Sequence, residues 1–128
     1  MTSIIKFTND FIEKYPNRKI NQLIENAGIW MKSYEVSNQG YEKSFATNTL
    51  GHYLIRLRLH YMNLLSNIAK IIVLTGDIYL MSNDCTKDYQ YHGNDSQMVY
   101  CRSKLGINVL ISYFMNILID ILTIIICI

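Results

Sequence analysis

Ile71-Ile72-Val73-Leu74, followed by Thr75-Gly76, is an uninterrupted β-branched and apolar run. No polar residue alternates through it, which suits a parallel strand covered on both faces. Upstream, Leu50, Leu54, Leu57, Tyr61, Leu64 and Ile68 step by four and three. That spacing predicts a helix over 42–68 with one stripe turned toward a core. Downstream, 77–96 reads as a polar loop, a second long helix is predicted over about 97–119, and 122–128, rich in isoleucine, reads as another strand. Farther upstream, Ile20 to Ile24 is a short buried strand closing on Asn26-Ala27-Gly28, and 29–41 is a polar connection ending at Gly40. Ile4, Ile5, Phe7, Phe11 and Ile12 recur at helical spacing, so a helix spans Thr2 to Lys14, ended by Pro16, which pushes Tyr15 out of the helical region. The order is α-β-α-β-α-β, an α/β chain with a parallel sheet and helical crossovers.

Composition narrows the function classes. The chain has 128 residues, enough for one domain with a modest core, and is 50% hydrophobic and 17% charged, which excludes a disordered chain. Its 12 basic and 10 acidic residues are scattered, so no concentrated basic face marks a nucleic-acid partner. Cys85, Cys101 and Cys127 lie far apart without a C-x-x-C, as expected of free thiols in a reducing, cytoplasmic compartment. His52, His60 and His92 lack partners at metal-ligand spacing; His52 is expected to pack beside its helix and His92 to sit in a polar loop.

The segment 105–128 contains no basic residue and one acid, Asp120, and is long enough to cross a bilayer. Asn108, Ser112, Asn116 and Asp120 are spaced by four, however, and form one polar stripe along a helix. An Asp within a membrane helix costs about 2.5–3.5 kcal/mol, and no Lys or Arg follows to anchor the end. A helix and a strand are therefore expected, with membrane association through 105–128 as the alternative.

Tyr100 and Lys104 stand four apart on a predicted helix and share one face. A phenol is a poor proton carrier near neutrality unless a neighbouring ammonium favours its phenolate. Tyr15 and Lys19 have the same spacing, but Pro16 between them forbids a helical turn. Spacing alone therefore leaves a surface Tyr-Lys pair as an alternative.

The surroundings carry more. Val99-Tyr-Cys-Arg-Ser-Lys-Leu-Gly106 resembles the Tyr-x-x-x-Lys block of short-chain dehydrogenases/reductases, in the retinol-dehydrogenase-like and WW-domain-oxidoreductase-like branch. Gly40-Tyr-Glu-Lys-Ser-Phe-Ala-Thr-Asn-Thr-Leu-Gly-His-Tyr-Leu54 is similar to that branch's asparagine-bearing helix, and Leu23-Ile-Glu-Asn-Ala-Gly-Ile29 to its Asn-Asn-Ala-Gly strand end. The resemblance implies part of a doubly wound, Rossmann-type sheet and hydride transfer between an NAD or NADP cofactor and a small lipophilic alcohol or carbonyl. It implies Tyr100 as proton donor or acceptor, and Lys104 as the group that lowers its pKa and holds the nicotinamide ribose. It further implies Asn48 as holder of a relaying water, and Asn26, Ala27 and Gly28 as the border of the adenosine side.

Three departures qualify these expectations. Gly76 falls on the family's catalytic serine position; Thr75 could substitute only if the backbone turns, since neighbouring strand residues point to opposite faces, and Asp77 is a further alternative. Glu25 replaces the first Asn of the Asn-Asn-Ala-Gly motif. The glycines, at 28, 40, 51, 76, 93 and 106, include no two separated by one residue, so no glycine-rich turn receives a pyrophosphate. The chain is thus expected to be a fragment holding the catalytic half, without the first β-α-β-α-β half, and inactive alone. Self-association, pairing with an N-terminal half as in a split enzyme, or a membrane-associated or partner-binding remnant are the attendant expectations.

Overall fold

The computed structural model describes residues 1–82, 88, 90–115 and 122–127, with 114, 115 and 122–127 as backbone only. In chain order the elements are α1 (Thr2–Lys14), β1 (Ile20–Glu25), α2 (Lys43–Phe45), a π-helical turn (Ala46–Gly51), α3 (His52–Tyr61), β2 (Leu65–Thr75), a 3-10 turn (Asp77–Met81), α4 (Ser96–Met115) and β3 (Leu122–Cys127). The strands form one parallel sheet in the order β1-β2-β3, with Leu23 opposite Ile71 and Val73 opposite Ile125. Both connections between neighbouring strands are helical crossovers, as parallel pairing requires.

Tyr15 caps α1 and turns the chain toward β1, while Thr8 accepts a hydrogen bond from Arg58 Nε at 2.7 Å, which docks α1 against α3. The core lies between the sheet and α3 and α4: Leu59, Leu64, Leu65, Ala69, Ile71, Val73, Ile107 and Ile111. Glu42 caps the next helix, accepting from the backbone N–H groups of Ser44 at 2.7 Å and Phe45 at 2.6 Å.

The helix predicted over 42–68 is shorter. It ends at Tyr61, Asn63 takes a left-handed conformation (φ 53°), and the chain enters β2 at Leu65 rather than Ile71. Within α3 the predicted leucine stripe is not the buried face either: Leu54 and Leu57 are half-buried and Tyr61 is 78% exposed, whereas His52, Arg56 and Leu59 are buried. Leu64 reaches the core only after the helix has ended, and Ile68 stands exposed on β2. The physical reason is an ion pair described below, which makes a polar face of α3 the inward one. Within the predicted loop 77–96 stands the 3-10 turn. The second long helix begins at Ser96 and is described to Met115; the 116–119 end of the prediction, with Asn116 and Asp120 of the polar stripe, lies outside the described residues, as do Cys85 and Ile128. Among the described residues no helix is long and apolar enough to cross a membrane, and no metal-binding group of His, Cys, Asp and Glu is present.

Candidate active site

The site begins with a distortion. At Ala46–Gly51 the helix widens to π geometry, and a Cβ at Gly51 would stand 3.3 Å from the Ala46 carbonyl oxygen five residues earlier, so the bare glycine suits the closure of that turn. Asn48 projects from the turn and is fully buried. Its Oδ1 accepts from the Ile29 N–H at 2.8 Å, and its Nδ2 donates to the Ile29 carbonyl at 2.9 Å and to Ser103 Oγ at 2.8 Å. One amide thus ties the loop after β1 to α4. Beside it Thr49 Oγ1 donates to the Ser103 carbonyl at 2.7 Å, and Gly106 admits Thr49 so closely that an added Cβ would meet its Cγ2 at 2.9 Å. The two helices are locked in register by backbone and small side chains.

That register places Tyr100 and Lys104. Lys104 Nζ lies 5.6 Å from the Tyr100 ring centroid and donates to the Leu74 carbonyl at the end of β2, at 3.5 Å. Lys104 is buried, and desolvation holds its ammonium below the ordinary lysine range. Gly28 faces it: a methyl there would stand 3.6 Å from Asn48 Oδ1 and 3.7 Å from Lys104 Nζ, an ordinary contact, so the glycine leaves that space open. A cavity of about 400 Å³ collects Asn26, Gly28, Trp30, Thr75, Tyr100 and Lys104. The Trp30 indole stacks on the Tyr100 ring, centroids 5.1 Å apart and planes 8° from parallel.

Of the residues singled out from sequence, Tyr100, Lys104, Asn26 and Gly28 line this one cavity, and Asn48 lies directly behind it. Ala27 lines a different one, a groove of about 440 Å³ beside β1. Asp77 is exposed in the 3-10 turn. The control pair Tyr15 and Lys19 is not helical: Tyr15 is a helix cap, and Lys19 bonds the Asn63 carbonyl.

Sequence reasoning missed Trp30, Ser103 and Arg56. Arg56 forms a two-pronged buried ion pair with Glu25, Nε to Oε1 at 2.6 Å and a second bond from Nη2 to Oε2. Burial pushes the Glu25 carboxyl up, against the pull of the Arg56 hydrogen bond and charge. His52 Nδ1 stands 4.0 Å from Glu25 Oε2, and neither ring nitrogen has a hydrogen-bond partner. Burial, then the charges of Arg56 and Lys104, lower its pKa to about 4, with the polar Ala27 backbone opposing them. The signal available in sequence was the acid at position 25, which once buried demands a cation from a neighbouring element.

No model of a known protein family matches the chain. It is 32% identical over 104 residues to Dehydrogenase/reductase SDR family member 12 of Bos taurus, spanning 80% of this chain and 32% of that protein. It is 28% identical over 110 residues to Retinol dehydrogenase 14 of Homo sapiens, spanning 83% of this chain and 31% of that one. The chain therefore spans about a third of the length of the curated relatives it matches. Among solved structures, the angucycline C-6 ketoreductase LanV with bound NADP superposes with a TM-score of 0.63 at 16% identity, covering 93% of this chain and 43% of that one, a likeness of fold. With the α/β order, the parallel sheet and these relatives in agreement, the chain belongs to the short-chain dehydrogenase/reductase family and is retinol-dehydrogenase-like within it.

Proposed function

We propose that this chain carries the acid–base half of an NAD(P)-dependent site that interconverts an alcohol and a carbonyl. The observation supporting this reading most directly is the convergence of Tyr100, Lys104 and Gly28 on one cavity, with Asn48 clasping the elements that bear them. In this reading the Tyr100 hydroxyl gives a proton to the developing alkoxide, and in the reverse direction its phenolate takes one from the alcohol. Lys104 sets a positive charge beside the phenol and reaches the nicotinamide ribose. The open space between Asn48 Oδ1 and Lys104 Nζ at Gly28 suits a water that passes the proton onward. The cavity's apolar side, Ile29, Trp30 and Leu74, suits a small lipophilic substrate.

The residues present fit one end of the cofactor. Gly28 offers a close backbone approach and Lys104 a donor, so the nicotinamide-ribose end has partners. The pyrophosphate end has none here, because no two glycines are separated by one residue. When bound, the cofactor supplies or accepts the hydride. Residues 1–128 alone are accordingly inactive, and the site works when a glycine-rich half completes it, in the same polypeptide or in a separate chain.

The edge of β1 favours such a completion. Among the described residues β1 pairs only with β2, Ile24 is 57% exposed, and the groove beside β1 runs along Leu23–Ala27. An open apolar edge invites another strand, and in isolation it favours self-association.

Titrating NADPH and following its fluorescence tests this division of labour. The 128-residue chain is expected to bind negligibly, and the same chain joined behind a glycine-rich β-α-β-α-β half to bind and reduce a lipophilic ketone. Saturable micromolar binding by the chain alone contradicts the reading.

A further inference from the structure

Along β2 the buried positions alternate: Ile71, Val73 and Thr75 are buried, and Ile72 and Leu74 half-buried. Ile71 and Val73 pack in the core with Ile107 and Ile111 of α4. By the period of a strand, Thr75 continues onto that same helix-covered side, the side from which Tyr100 and Lys104 descend. Thr75 lines their cavity, is 5% exposed, and its Oγ1 has no hydrogen-bond partner. A buried hydroxyl without a partner is unusual and calls for an explanation. A turn of about 120° around χ1 carries the hydroxyl to the place the methyl now holds and the methyl to that of the β-hydrogen. This turn sacrifices no hydrogen bond because the present rotamer makes none. Gly76 comes next in an extended conformation (φ −152°, ψ 155°), so the backbone does not make the turn expected to be needed for Thr75 to substitute. Thr75 itself already lines the cavity, and a side chain built at 76 points to the opposite side of the strand.

We propose that Thr75 is the substrate-orienting hydroxyl of this site, turning into the cavity to donate a hydrogen bond to the substrate oxygen on which Tyr100 acts. Thr75 thereby takes the task for which Gly76 has no atoms, and the serine-less strand end is no defect. The inference rests on the reading of the Tyr100 cavity as an alcohol/carbonyl site, and adds the second hydrogen bond to the reacting oxygen. Asp77, exposed in the 3-10 turn, has no part in it.

The carbonyl stretch of acetophenone bound to the full chain separates the two claims. A carbonyl accepting two hydrogen bonds absorbs at lower frequency than one accepting a single bond. In the unaltered protein the bound band is expected well below that of the free ketone. Thr75→Val, which keeps the shape and loses the hydroxyl, should bind the ketone but surrender part of the shift, and Thr75→Ser should restore it. Gly76→Ser should add nothing, alone or together with Thr75→Val. A Thr75→Val band identical to that of the unaltered protein, with the shift still lost in Tyr100→Phe, overturns the proposal and leaves the reading of the site intact. A rescue of Thr75→Val by Gly76→Ser also overturns it. Absence of a shifted band in the unaltered protein overturns the reading of the cavity and the role of Thr75 with it.

Discussion

Asn48 Nδ2 lies 2.8 Å from Ser103 Oγ, which joins the π-helical turn to the residue just before Lys104 on α4. The same amide exchanges two hydrogen bonds with Ile29, just after the Asn26-Ala27-Gly28 turn. Asn48→Asp keeps the shape but cannot donate to Ser103 Oγ or to the Ile29 carbonyl, and buries a charge. Urea unfolding should show a loss of about 2–4 kcal/mol, since each abandoned buried partner costs on the order of 1–3 kcal/mol. A loss below about 0.5 kcal/mol contradicts the clasp.

Gly28→Ala probes the proposed water relay. The added methyl meets nothing closer than 3.6 Å, so folding should be preserved, with a gain of up to about 1 kcal/mol from the stiffer unfolded chain. The methyl nevertheless occupies the space between Asn48 Oδ1 and Lys104 Nζ. In the enzyme completed by a glycine-rich half, turnover should fall while the melting temperature holds or rises. Unchanged turnover tells against a water at that place.

The Glu25–Arg56 pair should be expensive to break and cheap to replace. Arg56→Met leaves a buried carboxylate without its cation and is expected to cost about 3–5 kcal/mol, whereas Glu25→Gln with Arg56→Met should recover most of that. Equal losses for the single and double variants, measured by urea unfolding, would falsify the coupling.

What was legible in the sequence was local. The apolar run Ile71–Leu74, the Pro16 stop and the Tyr100–Lys104 spacing each announce themselves within a few residues, and each stands where expected. The end of the helix before β2 was not legible, because Leu64 continues the three-and-four spacing of Leu57 and Tyr61 while belonging to the turn into the strand. The chain leaves the helix through the left-handed Asn63, a choice made by docking β2 against β1. The inward face of α3 was illegible for a similar reason. Arg56 is buried only because Glu25 lies 31 residues away on the adjacent strand, and no window along one helix contains both. Trp30 stacks on a ring 70 positions downstream, equally beyond a local pattern.

His52 makes stability depend on pH. Its folded pKa of about 4 lies below the ordinary 6.5, so the unfolded chain takes up a proton that the folded chain refuses. Stability is therefore fully present above pH 6.5, falls as the pH drops toward 4, and levels off below it, by about 3 kcal/mol in all. The raised carboxyl of Glu25 acts with the opposite sign over neighbouring pH values, so the contribution of His52 is best read as the difference from His52→Leu. That difference should shrink between pH 7 and pH 4.5; a constant difference contradicts a buried neutral imidazole.

The central claim is that Tyr100 is the proton carrier, and its most direct measurement is the turnover of Tyr100→Phe in the chain completed by a glycine-rich half. Phenylalanine keeps the ring that stacks on Trp30 and removes only the hydroxyl. Ketone reduction should fall at least about 10²–10⁴-fold, the usual worth of a positioned general acid, with NADPH binding unchanged. Full activity in Tyr100→Phe contradicts the account.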